Sequence, residues 1–241
     1  FSVLFPGQGS QSLGMCKELY NNFDYIKDLF KEAEDTLNLQ ISKLIFDGPK
    51  ELLDETENTQ PAIFLVGYSI YKAVEKETSI DFDKANFFAG HSLGEYTALS
   101  CAGVINFRDT LSLLKIRGKS MQDAVPKNEG GMVAVLGENI EKILDIIKNN
   151  QSEFCCYLAN DNSNGQVVIS GKLKELEKFM LVLKKSNIKH IKLSVSAPFH
   201  CVLMQPATEI MKNEIIRTKF LKPKKKIVSN VTAEPSDDVE K

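Results

Sequence analysis

The segment GHSLG at residues 90–94 places one serine between two glycines, after an apolar run and before a helical pattern. A chain that passes directly from a strand into a helix forces the residue at the turn into a strained conformation and exposes its side chain. Glycines two positions to either side allow the two backbones to pack without Cβ clashes. The pattern therefore predicts that Ser92 is a nucleophile; the alternative is a serine that caps the helix in a tight turn.

Short apolar runs alternate with helical spacing on both sides of this turn. Strands are predicted at 2–5, 86–89 and 226–231, and helices over 15–37, 60–77, 94–102 and 109–124. Alternating strands and helices are typical of an α/β fold with a parallel sheet. We therefore predict a large α/β domain that is formed by residues 1–126 and 197–241.

The intervening residues 127–196 follow a different order. Strand, helix, strand, strand, helix and strand are predicted at 132–136, 139–149, 154–159, 166–170, 173–185 and 188–195. A polar turn is predicted at 160–165, between the second and third of these strands. This βαββαβ order is that of the ferredoxin-like unit, so we predict a small inserted subdomain, followed by a turn and a helix over 197–212.

A serine nucleophile requires a base, and the sequence contains three histidines. His91 is expected to project away from its neighbour, and His190 alternates with Lys192 on the polar face of a strand whose other face is apolar. His200 follows the turn at 196–199, immediately before the helix that returns to the large domain. A loop at a domain junction suits a base that faces a cleft, so we favour His200; the alternative is a buried or capping histidine. No acidic residue stands out as the third member of a catalytic triad, so we predict a Ser–His dyad.

Two backbone N–H groups are candidates for an oxyanion hole. Leu93 follows the serine at the start of a helix, where N–H groups lack intrahelical acceptors and the helix dipole favours negative charge. Gln8 lies in the glycine-rich turn at 6–9 after the first strand. A loop beside the strand–helix turn at residues 90–94, called the elbow below, can supply a second N–H. The alternative for Gln8 is an ordinary tight turn.

Arg117 is predicted on a helix with Leu113, Leu114 and Met121 on the same face. A buried guanidinium on an apolar face requires an anion or a set of acceptors. Arg117 therefore either forms a structural ion pair or holds a substrate carboxylate in a bidentate manner. Met121, one turn further along, is included among the candidate substrate-binding residues.

Charge and cysteine content restrict the class of protein. Thirty Lys and Arg residues against 32 Asp and Glu give a net charge of −2, which predicts no affinity for nucleic acid or membrane surfaces. The apolar runs are too short to span a bilayer. Five cysteines without CxxC spacing argue against a disulfide framework and favour a reducing compartment.

Several motifs, in order along nearly the whole chain, resemble those of the malonyl-CoA:acyl carrier protein transacylase family of type II fatty-acid synthesis. They are FPGQGSQ at 5–11, TQPA at 59–62, GHSLGEY at 90–96, Arg117, NGQVVISG at 164–171, APFH at 197–200 and SNVTAEP at 229–235. The resemblance implies a hydrolase-like α/β domain with a ferredoxin-like insertion, in agreement with the predicted order of elements.

The resemblance also implies roles for individual residues. Ser92 would be the nucleophile and His200 the base, the N–H groups of Gln8 and Leu93 the oxyanion hole, and Arg117 the partner of the malonyl carboxylate. Gln60 and Asn160 would line the pocket. Leu93 and Phe199 are the residue types that resemble those of family members selective for malonyl.

By the same resemblance, the chain would move a malonyl group from malonyl-CoA to the phosphopantetheine thiol of acyl carrier protein through malonyl-Ser92, without a bound cofactor or metal. We expect a monomer in the bacterial cytoplasm or, if a leader peptide has been removed, in the plastid or mitochondrial matrix. Family members continue for several dozen residues beyond NVTAEP, where a glutamine carbonyl orients the histidine, so we expect an incomplete or truncated chain.

The alternatives to this function are a patatin-type serine lipid hydrolase, whose D-G-[GA] and G-G-G-x-R-G motifs are not found, and a non-catalytic scaffold that binds carrier protein.

Overall fold

The computed structural model describes residues 1–195 and 197–238. They form two compact units: residues 1–118 together with the chain from 211 onward, and residues 119–210. The helices are α1 Lys17–Asn22, α2 Asp24–Leu37, α3 Ile41–Asp47, α4 Lys50–Leu53, α5 Thr56–Glu77, α6 Leu93–Cys101, α7 Phe107–Asp123, α8 Ile140–Asn149, α9 Leu173–Lys185 and α10 Gln205–Arg217. The strands are β1 Ser2–Phe5, β2 Phe87–Gly90, β3 Gly130–Leu136, β4 Cys156–Ser163, β5 Gln166–Lys172, β6 Lys189–Lys192, β7 Lys226–Val228 and β8 Pro235–Ser236.

The first unit contains a four-stranded sheet in the order β1-β2-β7-β8. Strands β1, β2 and β7 are parallel, and β8 is antiparallel to β7. The predicted parallel α/β sheet is therefore confirmed. In its register Phe5 lies opposite Gly90, so the turn after β1 and the turn after β2 leave the same edge of the sheet. The carboxyl ends of parallel strands are where α/β folds place their ligands.

Two apolar clusters stabilise the first unit. One packs α2, α3 and α5 together through fully buried side chains, among them Ile26, Phe30, Ile45 and Phe64. The other covers the sheet and includes Phe5, Phe88, Ala98 and Ile105. Helix α6 contributes to both clusters, through Leu93 and Ala98 respectively, so it packs against the helices at its start and against the sheet further along. No helix in the described residues is sufficiently long and apolar to span a membrane.

The second unit contains an antiparallel sheet in the order β4-β5-β3-β6. Its central strand β3 is buried on both faces because its apolar side chains alternate between two clusters. Val133 and Val135 pack with α8 and α9, whose buried residues recur at helical spacing. Met132 and Ala134 pack with the segment that contains Phe199.

Several predicted boundaries are wrong. The helix predicted over 15–37 is two helices, because Phe23 has an extended backbone with φ −128° and ψ 117°. The turn predicted at 160–165 is shorter: β4 continues to Ser163 and pairs with β5 through two register shifts. Asn160 is thus a strand residue. The turn itself contains residue 165 with a φ of 83°, a backbone conformation that favours glycine, and Gly165 occupies this position.

The last predicted strands also differ. Strand β6 ends at Lys192, and Ile191, expected on an apolar face, is 51% exposed. Strand β7 has three residues, and the helix predicted to end at 212 runs over α10 instead. Ser196, the predicted end of the inserted subdomain, lies outside the described residues, and the boundaries at 127 and 196 stay a prediction.

Candidate active site

Ser92 lies at a sharp turn between β2 and α6. Its backbone has φ 54° and ψ −111°, a conformation that residues other than glycine rarely adopt. Such a conformation costs about 1–3 kcal/mol and persists only where the surrounding structure enforces it. The strand ends at Gly90 and the helix begins at Leu93, so two residues connect the two elements, and Ser92 is the one with positive φ.

The two glycines of the turn are required by close backbone contacts. A Cβ atom at Gly90 would lie 1.9 Å from the carbonyl carbon of Gly94. A Cβ atom at Gly94 would lie 2.5 Å from the carbonyl oxygen of Phe5. Neither contact is possible for real atoms, and both neighbours are backbone that cannot rotate away. Glycine at these positions allows β1, β2 and α6 to converge beneath Ser92.

Gly90→Ala is expected to lower the free energy of unfolding by at least about 3 kcal/mol, because the methyl group would force α6 away from β2. Gly67→Ala on α5 is the matched control, since its Cβ would make an ordinary contact of 3.4 Å with Thr97. We expect this control to be neutral or more stable by about 1 kcal/mol. Urea unfolding measures both. A wild-type midpoint for Gly90→Ala would contradict the packing argument.

Arg117 contacts the serine directly. Its Nη2 donates a hydrogen bond of 3.1 Å to Ser92 Oγ, and its Nη1 donates one of 2.7 Å to Gln60 Oε1. Gln60 is 1% exposed on α5, and its oxygen fixes one arm of the guanidinium. The ring of Tyr96 lies 5.6 Å from Arg117 Cζ. Residues that are 25 and 57 positions apart in the chain therefore form one cationic site at the elbow.

Burial shapes the electrostatics of this site. It lowers the pKa of Arg117, an effect that Tyr96 and the Glu95 carboxylate oppose. It raises the pKa of Glu95, while a hydrogen bond from the Asn230 N–H and the charge of Arg117 lower it. Burial likewise raises the pKa of Tyr96. Since guanidinium remains protonated in proteins, the site retains a cation beside the Ser92 hydroxyl.

The loop that contains Gln8 lies against the elbow. A Cβ atom at Gly7 would lie 2.6 Å from the carbonyl oxygen of His91, so glycine permits this approach. The Gln8 side chain donates a hydrogen bond of 3.3 Å to Thr56 Oγ1 at the start of α5. Leu93 is the first residue of α6 and is buried, so its side chain anchors the helix. The first turn of a helix presents N–H groups without intrahelical acceptors.

The remaining candidates belong to the second unit. Met121 and Phe199 are buried in the same apolar cluster. Asn160 lies on β4 opposite Val168, directly after a register shift. The structure thus joins Ser92, Arg117 and Gln60 by hydrogen bonds in the first unit, with Gln8 and Leu93 beside the same turn.

His200 is half-buried in a loop of the second unit and has φ 57°. The loop is fixed within that unit. The Ser170 hydroxyl donates a hydrogen bond to the carbonyl of Phe199. Pro198 packs against Gly130, where any Cβ would lie 2.2 Å from its ring.

Comparison with known proteins identifies the family. Residues 3–240 match the model of a family described as the acyl transferase domain. A malonyl CoA-acyl carrier protein transacylase from Bacillus subtilis (strain 168) is 42% identical over 235 residues, 97% of this chain and 73% of that protein. The crystal structure of an acyl-carrier-protein-S-malonyltransferase from Bartonella henselae has a TM-score of 0.94 and 40% identity, covering 99% of this chain and 77% of that one. The chain belongs to the malonyl CoA-acyl carrier protein transacylase family.

A further similar transacylase was solved in complex with its type II PKS acyl-carrier protein. Its TM-score is 0.93 at 36% identity, and the match covers 100% of this chain and 77% of that one. Members of the family are acyltransferases, and this chain is therefore an enzyme of acyl transfer. The assignment favours that chemistry over patatin-type lipid hydrolysis.

Three residues that contact the site in this chain were missed by sequence reasoning. Tyr96 and Glu95 lie beside Arg117, although both belong to the motif at 90–96. Asn230 binds the backbone of the elbow, and its only signal in the sequence was its position in the motif at 229–235. Nothing in the sequence itself connects residue 230 with residue 92.

Proposed function

We propose that this chain moves the malonyl group from malonyl-CoA to the phosphopantetheine thiol of an acyl carrier protein, through a malonyl-Ser92 intermediate. The observation that carries the proposal is the hydrogen bond of 3.1 Å between Arg117 and Ser92 Oγ. An acyl group on Ser92 Oγ would extend into the immediate surroundings of the guanidinium. Malonyl differs from acetyl by a terminal carboxylate, and a planar guanidinium binds a carboxylate through two parallel hydrogen bonds.

In the proposed first half-reaction, His200 accepts the proton of Ser92 Oγ, and the oxygen attacks the thioester carbonyl carbon. The N–H groups of Gln8 and Leu93 bind the resulting oxyanion, at about 3–4 kcal/mol for each donor. The C–S bond then breaks, and the coenzyme A sulfur leaves with the proton from His200. Malonyl-Ser92 remains, with its carboxylate on Arg117.

In the second half-reaction, His200 accepts the proton of the pantetheine thiol, and the sulfur attacks the ester carbonyl of malonyl-Ser92. The same N–H groups bind the second oxyanion, and the C–O bond breaks as Ser92 regains its proton. The groups named here provide the base, the charge stabilisation and the carboxylate partner, so the chemistry requires no cofactor. The similar transacylase that was solved with its acyl-carrier protein supports this choice of partner.

The same proposal includes the finer features of the fold. The strand–Ser92–helix turn at the end of β2 supports a hydrolase-like large domain of residues 1–126 and 197–241. The order β4-β5-β3-β6, with α8 and α9 on one face, supports a ferredoxin-like subdomain within 127–196. Met121, Asn160, Phe199 and His200 would then be the contributions of the chain beyond residue 118 to substrate binding and catalysis.

Intact mass spectrometry tests the proposal. The chain is mixed with malonyl-CoA, and the expected result is one malonyl adduct per chain that disappears when carrier protein with a free pantetheine thiol is added. Acetyl-CoA, which lacks the carboxylate, serves as the control donor and is expected to give an adduct more slowly. Absence of a malonyl adduct would contradict the proposed function, and an adduct that persists with carrier protein would contradict the second half-reaction.

A further inference from the structure

We propose that Asn230 is a positioning residue that holds Ser92 in the conformation of a nucleophile. The inference deepens the proposed function, on which its consequence for acyl transfer rests. Asn230 follows β7 by two residues and belongs to the first unit, as Ser92 does.

The carboxamide of Asn230 bridges the two sides of the turn. Its Oδ1 accepts a hydrogen bond of 2.8 Å from the N–H of Ser92. Its Nδ2 donates one of 2.6 Å to the carbonyl oxygen of Gly90. Strand pairing between β2 and β7 ends at Ala89 and Val228, so this side chain provides the next connection where the backbone ladder stops.

Both bonds act on backbone groups that regular structure does not satisfy. Gly90 is the last residue of β2, and Ser92 precedes the first residue of α6. A residue with φ 54° and ψ −111° remains in place only when its surroundings enforce that geometry. A primary amide is both donor and acceptor, so one side chain can bind the carbonyl on one side of the turn and the N–H on the other.

The backbone of Asn230 is connected to the same helix. Its N–H lies 3.4 Å from Glu95 Oε1, in the first turn of α6. Beyond it, the Ala233 N–H donates a hydrogen bond of 2.8 Å to the carbonyl of Ser229, which closes the loop. The loop after β7 is thus fixed to the helix start that its side chain supports.

This geometry has a consequence for both groups that the chemistry uses. Ser92 carries the attacking oxygen, and the next N–H, that of Leu93, is a proposed oxyanion donor. Loss of the carboxamide would allow the turn to relax and would displace both groups together. A displacement of about 1 Å in a reacting group costs about 10²-fold in rate. The Arg117–Gln60 bond involves neither Gly90 nor Asn230, so preference among acyl groups should remain.

The experiment compares Asn230→Ala and Asn230→Asp with wild type in the rate at which Ser92 is labelled. Two reagents are used in parallel: malonyl-CoA, and a fluorophosphonate that labels active serines without a carboxylate. Acetyl-CoA is measured separately as a second acyl donor, so that the preference for malonyl can be read as a ratio. We expect both variants to react about 10- to 100-fold more slowly with both reagents, and the ratio of malonyl to acetyl labelling to stay within about twofold of wild type. Asn230→Asp retains an acceptor for the Ser92 N–H but cannot donate to the Gly90 carbonyl.

Asn106→Ala is the matched control. The Asn106 side chain also forms two hydrogen bonds in the first unit, donating to Asp109 Oδ2 over 2.6 Å and accepting from the Asp109 N–H over 2.8 Å. It caps α7, and among the described residues both of these side-chain hydrogen bonds are made with Asp109, which is not a candidate site residue. We expect this variant to lose stability in thermal unfolding and to label at the wild-type rate.

The outcomes separate the two proposals. Wild-type labelling by either Asn230 variant, or a loss that matches the unfolded fraction, would overturn the role of Asn230. If wild type reacts with the fluorophosphonate but not with malonyl-CoA, the proposed function is wrong, and the fluorophosphonate rates still decide the role of Asn230. If neither reagent labels wild type, Ser92 is not a nucleophile and both proposals are wrong.

Discussion

Ser92→Ala is expected to eliminate the malonyl adduct and to reduce malonyl transfer to carrier protein by about 10⁴-fold or more. Without Oγ no covalent intermediate can form, and only the rate that binding and oxyanion stabilisation provide would remain. Intact mass measures the first effect, and a transfer assay with holo carrier protein measures the second. Transfer that continues at the wild-type rate would show that the acyl group does not pass through this serine.

Ser100→Ala is the control for this prediction. Ser100 lies on α6, eight residues beyond Ser92, and is 6% exposed. Within the described residues its hydroxyl has no hydrogen-bond partner. Removal of such a group is expected to leave the folded structure and the rate of adduct formation unchanged, because no hydrogen bond is lost.

Arg117→Ala is expected to reduce malonyl transfer by about 10²- to 10³-fold and to change acetyl transfer by less than about tenfold. Truncation of one partner of a buried, hydrogen-bonded charge pair costs about 2–5 kcal/mol, and only the malonyl group brings the second charge. Arg117→Lys should give an intermediate loss, because an ammonium retains the charge but lacks the planar set of N–H donors that binds both carboxylate oxygens. Competition between malonyl-CoA and acetyl-CoA, read as the ratio of adducts, measures the change.

Arg108→Ala on the same helix is the control for the loss of charge. The Arg108 side chain is 69% exposed and pairs with Glu32 at 2.6 Å. Exposed ion pairs of this kind contribute about 0–1 kcal/mol, so both transfer rates should stay near wild type. An equal loss of malonyl and acetyl transfer in Arg117→Ala would count against the carboxylate role and would indicate that Arg117 supports the serine itself.

The turn at Ser92 could be predicted from sequence because its cause is local. The apolar run, the two glycines and the following helix lie within a few residues, and backbone contact leaves no alternative to glycine at 90 and 94. Periodicity likewise identified α9, whose buried Leu176, Phe179 and Leu183 recur on one face. Local patterns of this kind are sufficient to predict elements and one strained residue.

The remaining features depend on contacts between distant residues. The polar residues after Leu158 indicate a turn, yet they pair with β5 because the short turn at Gly165 fixes the hairpin register. The residues around Arg117 predict only that its guanidinium binds an anion or a set of acceptors. They do not identify Gln60 as the partner, because Gln60 precedes Arg117 by 57 residues. The contact of Asn230 with Ser92 spans 138 residues, and no spacing rule extends so far.

That span also sets an order of assembly during synthesis. Ribosomes add about 5–20 residues per second, and the amino-terminal part of a chain emerges first. The 138 residues between Ser92 and Asn230 therefore correspond to about 7–28 s of translation. During this interval β1, β2 and α6 exist without the carboxamide that bridges their turn. A nascent chain thus has its serine well before it has the support for that serine, and under the proposed role of Asn230 it reaches its full reactivity only once the loop after β7 has been made.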